Sequence, residues 1–345
     1  MKLKFIKPLL LSLLSVLVLA SLFTGCAETT EEKPTILVSD TQFESLWINN
    51  AIFEFVVENG YDYPVETVET TTAVMQVVMP KGELHLLLEL WQQNMAKWYE
   101  EQTELGTIEN LGMTYEGGPQ FWIIPQYVHD EYGITTIDDL KENWQLFEDP
   151  ADANKGLFIN SLPGWACTEI NKVKIKAYGL DEYFNLIEAG TMGGLDAALA
   201  GPQKKHEPVL GYYWAPTAIM GMYDWFVIEE PEYDAEVWSE IIRATDDMQL
   251  ADDVTESCAY ETLPIDKGIW TGLRDLAPDV VEMMEKMNVG LEPLNDTAAW
   301  SNVNEIQNYE LAAVYYLENY EDRWATWVTD DAYDKIKEAV DTYQK

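Results

Sequence analysis

The sequence predicts an α/β fold divided into two lobes, and three observations carry that expectation. Apolar runs of strand length alternate with stretches of helical spacing, the pattern of an α/β domain. Behind an N-terminal segment of secretory type, about 310 residues remain, more than one hydrophobic core organises. At 47% hydrophobic residues, the chain can fill two such cores.

The elements follow in order. Lys2, Lys4 and Lys7 precede an apolar run over residues 9–23. The run is positive then apolar and short for a membrane span, so residues 1–25 read as a signal peptide. Phe23-Thr24-Gly25-Cys26 resembles a bacterial lipobox, with Phe where leucine is usual. Cys26 is therefore expected to carry diacylglycerol. Two acyl chains, at about 0.8 kcal/mol per buried methylene, hold a protein on a membrane; a secretory signal with a chance cysteine is the alternative. Residues 26–35 are polar and form a tether. A strand is predicted over 35–39, a helix over 43–59 stopped by Gly60, a helix over 73–79, and a buried parallel strand over 84–90. Further strands are expected at 121–125, 156–160 and 209–213. Helices are expected from Thr136, over 169–178 and over 193–200. The C-terminal third reads mostly as helix, at 278–287, 304–319 and 331–342.

Charge narrows the function. With 61 acidic against 21 basic residues, net −40, nucleic acid and anionic membrane surfaces are excluded as main partners. A saline habitat and a merely acidic exported protein both fit this balance. Beyond Cys26, Cys167 and Cys258 remain; in an oxidising compartment they can pair or stay as thiols. The chain carries no Gly-x-Ser-x-Gly elbow, P-loop or His-Glu-x-x-His. His85, His129 and His206 lie far apart in sequence. No catalytic residue, metal site or cofactor is expected.

Three of the 13 tryptophans stand in distinctive surroundings: Trp91 in Leu-Glu-Leu-Trp, Trp165 in Pro-Gly-Trp-Ala-Cys, and Trp214 in Gly-Tyr-Tyr-Trp-Ala-Pro. Each follows a predicted strand, where ligands of open α/β sheets gather. Converging indole faces suit a cation that donates no hydrogen bonds, such as a quaternary ammonium. Phe43, Trp47, Tyr127 and Tyr213 are lesser candidates. Glu89 can face the cation or close a local hydrogen bond at the sheet end. Trp144, Trp238, Trp270, Trp300, Trp324 and Trp327 are expected to pack. A helix beginning near Ala166, after Pro163-Gly164, offers the free N–H groups of Ala166 and Cys167 to a carboxylate, with Thr168 as an extra donor. Tryptophans also stack on sugars, so a carbohydrate-binding or hydrolytic surface lipoprotein is the alternative of another class. No opposed carboxylate pair singles itself out for hydrolysis.

Taken together, Phe43-Glu44-Ser45 with Asn50-Ala51-Ile52, Glu89-Leu90-Trp91, Ile124-Pro125-Gln126-Tyr127-Val128, Gly164-Trp165-Ala166-Cys167 and the run from Glu207 to Pro216 resemble the glycine betaine and quaternary-amine binding proteins of ABC importers. The resemblance spans nearly the whole mature chain. It implies a two-lobed periplasmic-binding-protein fold, type II-like, closing by hinge motion around a ligand in the interlobe cleft. Residues 33–126 plus 256–345 would form lobe 1, and 127–255 lobe 2. It further implies a small quaternary-amine ligand and a permease and ATPase as partners in osmoprotectant uptake. Choline, carnitine, trimethylamine N-oxide and sulfonium osmolytes are the other ligands in view. Some relatives carry a second cysteine shortly before this tryptophan; here Ser161-Leu162-Pro163 stands instead, so a bridge would need Cys258. Three indole walls at about 2 kcal/mol each fall short of the roughly 8 kcal/mol of micromolar binding, and the clamp supplies the rest. Since neither cage nor clamp titrates, binding is expected to vary little around neutral pH.

Overall fold

The computed structural model describes residues 33–343, apart from the side chain of Asp246. The signal segment, Cys26 and the tether as far as residue 32 lie outside the described residues. Both sheets and the site belong to the unit Pro34–Lys345. No helix among the described residues is long and apolar enough to cross a membrane.

Two mixed sheets organise this unit. The first contains β1 (Ile36–Asp40), β2 (Val65–Glu69), β3 (Leu86–Leu90), β4 (Ile108–Tyr115) and β11 (Ile265–Trp270), in the order β2-β1-β3-β11-β4. The second contains β5 (Gln120–Pro125), β6 (Glu148–Asp149), β7 (Asp152–Asn160), β8 (Phe184–Glu188), β9 (Leu210–Trp214) and β10 (Trp225–Val227). Its order is β10-β5-β9-β7-β6, with β8 also on β7. The apolar run before Trp91 forms β3, buried at every position. It is parallel to β1 as expected and antiparallel to β11.

The helix Glu44–Tyr61 is buried on most of its circumference and packs between the first sheet and the helices Tyr309–Asn319 and Asp330–Thr342. It runs through Gly60 rather than stopping there. Glycine at this position admits the C-terminal helix, since a Cβ would lie 2.8 Å from Ile336 Cδ1. The stop comes at Asp62, in the left-handed region at φ 59°. The start at Thr136 is a complete capping box with Asp139.

The chain crosses between the sheets twice. After β4 it passes through Gly117-Gly118 into β5, whose register with β9 pairs Phe121 with Tyr213. Residues 120–125 thus hydrogen-bond in the second sheet, although the expected boundary at 126 grouped them with the first lobe. The returning segment leads into β11, and Gly118 N–H donates to Leu263 O across the two crossings at 2.9 Å. Gly118 admits no side chain: a Cβ would stand 2.5 Å from Ile265 Cδ1 and 2.7 Å from Trp91 Cζ3.

Candidate binding site

The segment after β1, the end of β3, the start of the helix Ala166–Ala177 and the end of β9 converge on one cavity. Phe43, Glu89, Trp91, Trp165, Cys167 and Trp214 line it. Its volume is about 50 Å³, on a measure by which one water needs roughly 10–15 Å³. That is room for a small organic molecule and little more.

Three of the rings form a corner. Phe43 and Trp165 meet at 5.7 Å and 83°, Phe43 and Trp214 at 6.2 Å and 84°, and Trp165 and Trp214 at 5.4 Å and 78°. Three mutually near-perpendicular aromatic walls suit a compact, roughly spherical head group. Trp91 adds a further indole to the lining. Its Nε1 donates to Glu89 Oε2 at 3.2 Å. Trp165 is pinned from the other side, Nε1 donating to Thr41 O at 2.8 Å. Gly164, at φ 84°, lets this turn approach the first sheet's side, where a Cβ would lie 2.9 Å from Thr71 Cβ. Trp238, expected as packing, also donates Nε1 to Gln93 O at 3.0 Å.

The helix start has the features a clamp needs. Trp165 occupies the N-cap without a side-chain cap, and Ala166 and Cys167 line the cavity. Among the described residues, no carbonyl accepts from the N–H groups of Ala166 and Cys167, and the Cys167 N–H faces its own thiol. Thr168 is turned away: its N–H meets Trp165 O, and its hydroxyl donates to Leu162 O and contacts Ser161 Oγ at 2.7 Å.

Other candidates stand outside the lining. Trp47 donates Nε1 to Asp40 at 3.0 Å and packs on Tyr309. Tyr127 stacks on His206 at 3.7 Å, its hydroxyl on Glu207 O. Tyr213 donates to Asp196. Strand alternation accounts for Tyr213, because its neighbours Tyr212 and Trp214 both reach the cavity. The same two-residue step from Trp214 is the signal that marks Tyr212, which sequence reasoning missed. Tyr212 donates to Gln120 Oε1 at 2.7 Å, and Gln120 exchanges paired amide bonds with Asn94 at 2.9 Å.

Glu89 is the charged group of the wall. It is 1% exposed. Asn49 Nδ2 donates to its Oε1 at 2.8 Å, and Tyr115 donates to its Oε2 at 2.6 Å. Burial pushes its carboxyl up to about 7, against the opposing pull of these bonds.

The two remaining cysteines are free and buried, which overturns the candidate bridge. Their side chains serve different surroundings: Cys167 Sγ sits 3.3 Å from Ser161 Oγ beside the cavity, and Cys258 Sγ 3.7 Å from Asp234 O. Burial pushes the Cys167 thiol up to about 11.

The family described as the substrate binding domain of ABC-type glycine betaine transport systems matches residues 34–319. The glycine betaine-binding periplasmic protein OusX of Dickeya dadantii is 25% identical over 181 residues, 52% of each chain; the chain thus spans about half the length of that curated relative. Among solved structures, the glycine/betaine/L-proline-binding protein of an ABC transporter from Borrelia burgdorferi superposes with TM-score 0.69 at 17% identity, covering 88% of this chain and 99% of that one. A choline-binding protein in complex with choline gives 0.69 at 15%, covering 89% and 98%. A lactococcal protein, OpuAC, closed on glycine betaine, gives 0.66 at 14%, covering 86% and 100%. At such identities the likeness establishes the two-sheet periplasmic-binding-protein fold. The matching family is a transport substrate-binding domain rather than a hydrolase, which counts against the hydrolytic alternative. The chain belongs to the family of substrate-binding domains of ABC-type glycine betaine transport systems.

Proposed function

We propose that this chain is the extracytoplasmic receptor of an ABC importer and captures glycine betaine or a close quaternary amine. The observation that carries the reading is the perpendicular corner of Phe43, Trp165 and Trp214 beside the open N–H groups of Ala166 and Cys167. The rings and Trp91 receive the trimethylammonium head, whose diffuse charge and apolar methyls match aromatic faces. The helix start receives the carboxylate. Closure is a hinge motion of two lobes about the paired crossings at Gly118 and Leu263, with β5 moving with the second. Trp165 then docks on Thr41, so binding and closure are one event. Lipidation at Cys26 tethers the receptor near its permease and ATPase, and the imported amine serves as an osmoprotectant.

The test is a titration followed by tryptophan fluorescence, with glycine betaine, choline and glucose in parallel. Saturable response to betaine alone supports cage and clamp together. A response to choline alone keeps the cage and discards the clamp. Equal response to glucose, or response to none, sinks the reading.

A further inference from the structure

Glu89 is a carboxyl group without a counter-ion in the wall of a cavity shaped for a cation. Its hydrogen bonds come from neutral donors, Asn49, Tyr115 and Trp91, with the Ser45 hydroxyl beside them. Among the described residues, no Lys, Arg or His pairs with it. Of the groups on the surrounding elements, Lys267 on β11 also titrates close to this range, its ammonium lowered by burial to about 8, and the Glu89→Gln variant separates the two. Tyr115, on β4, is held well above the ordinary phenol range by burial. The helix Glu44–Tyr61 contributes Asn49. Across the cavity, Tyr212 is likewise raised and Cys167 lies at about 11. On β11, the strand beside β3, Asp266 accepts from Asn110 and Gln92, and Lys267 Nζ donates to Gly112 O and Met113 O at 3.2 and 3.1 Å.

One further contact matters. The Glu89 carboxylate accepts the Trp91 indole N–H, and hydrogen bonds in a buried chain polarise one another. An ionised Glu89 therefore makes the Trp91 face more negative as well as supplying a charge of its own.

We propose that Glu89 is the counter-charge that makes this cavity select a cation over a neutral molecule of the same shape, and that capturing the cation expels the carboxyl proton to solvent. The proposal rests on the reading of the cavity as a quaternary-ammonium site. The balance is simple: the Glu89 O–H bond breaks, the electron pair stays on the carboxylate, and water or buffer takes the proton. Burial keeps much of this carboxyl protonated at neutral pH in the empty cavity. A cation held close by lowers a carboxyl pKa by roughly 1–3 units, so the ligand and the proton compete.

The experiment is calorimetric titration of the protein with glycine betaine from about pH 5.5 to about pH 8, in buffers of different ionisation enthalpy, where a shift of that size predicts roughly tenfold tighter binding at the alkaline end. Proton release near neutrality should accompany it. Glu89→Gln should flatten the pH profile, abolish the proton release, and narrow the preference for glycine betaine over tert-butylacetate, its neutral-headed isostere. If that variant fails to melt cooperatively, the wild-type buffer dependence decides alone. Saturable betaine binding with a flat pH profile and no proton release overturns this inference and leaves the site reading intact. No saturable binding at any pH overturns both.

Discussion

Two buried carboxylates, Glu230 and Glu89, show how one chemical group serves two ends. Glu230 meets Lys174 at 2.6 Å, with side chains 3% and 0% exposed. The Lys174 ammonium also lies 4.3 Å from the centre of the Tyr260 ring and 5.2 Å from that of Trp122. Glu89 is buried as deeply and has neutral hydrogen-bond donors only. The first carboxylate has its cation built into the chain, under aromatic faces. The second has aromatic faces, an adjoining cavity and no cation. The Lys174 site is in effect a filled version of the arrangement that the cavity offers to a ligand, and the contrast separates a structural pair from a receptive one.

The comparison breaks first at Lys174. Lys174→Met leaves Glu230 buried and unpaired, at a cost of about 3–5 kcal/mol. Denaturant unfolding should show that loss, and Lys174→Met with Glu230→Leu together should recover much of it. A neutral single variant would mean that the pair is not what holds the helix Ala166–Ala177 to the segment after β10.

Glu89 should behave in the opposite way, because here nature left the partner out. Its folded pKa is raised above the ordinary 4.5 to about 7, so the folded state favours the proton. The stability this gives is complete below about pH 4.5 and is lost as pH rises through 7, a term of the order of 3 kcal/mol. Melting temperature should therefore fall with pH across that window in the ligand-free protein. Glu89→Gln should melt higher than wild type above neutrality, and saturating betaine should shrink the difference. An identical pH dependence in the two proteins would remove the unpaired charge from the argument.

How far the sequence reveals this arrangement depends on whether a residue's role is local. The tryptophans, the start at Ala166 and the strand before Trp91 are marked by their immediate neighbours, and they do converge. The capping box at Thr136 is four residues long and equally visible. What is not local stays hidden. β11 is broken as a pattern by buried Lys267, whose head group is satisfied by carbonyls of β4. It therefore reads as nothing in a C-terminal third dominated by helix. Gly60 signals a stop locally, yet it is a contact site for Ile336. Phe43 belongs to the aromatic corner although its sequence resembles any helix entrance, whereas Trp47, one turn on, is spent on Asp40 and Tyr309. The depth of Glu89 is hidden for the same reason: it follows from the packing of Asn49, Tyr115 and Trp91 around it.

A smaller change should follow Trp165→Ala. It removes one wall of the corner, worth about 2 kcal/mol when desolvated, together with the bond to Thr41. Betaine affinity should drop at least about tenfold in a protein with an unchanged circular dichroism spectrum. Trp47→Phe, outside the lining, should leave affinity within about twofold, since its lost indole bond is on the far side of the helix start. Equal losses in the two variants would mean that the corner is not the contact surface.

The smallest expected effect separates the two sulfurs. Both thiols are buried and raised by that burial, so a thiolate-directed reagent should label neither quickly at neutral pH. After unfolding without reductant both should label, because neither is bridged. In the folded protein Cys167 lines the cavity, while Cys258 sits near the Lys174–Glu230 pair. Betaine should therefore slow labelling of Cys167 and leave Cys258 alone. Equal protection of both would trace the effect to global stabilisation by ligand rather than to occupation of the cavity, and labelling with peptide mapping distinguishes the two.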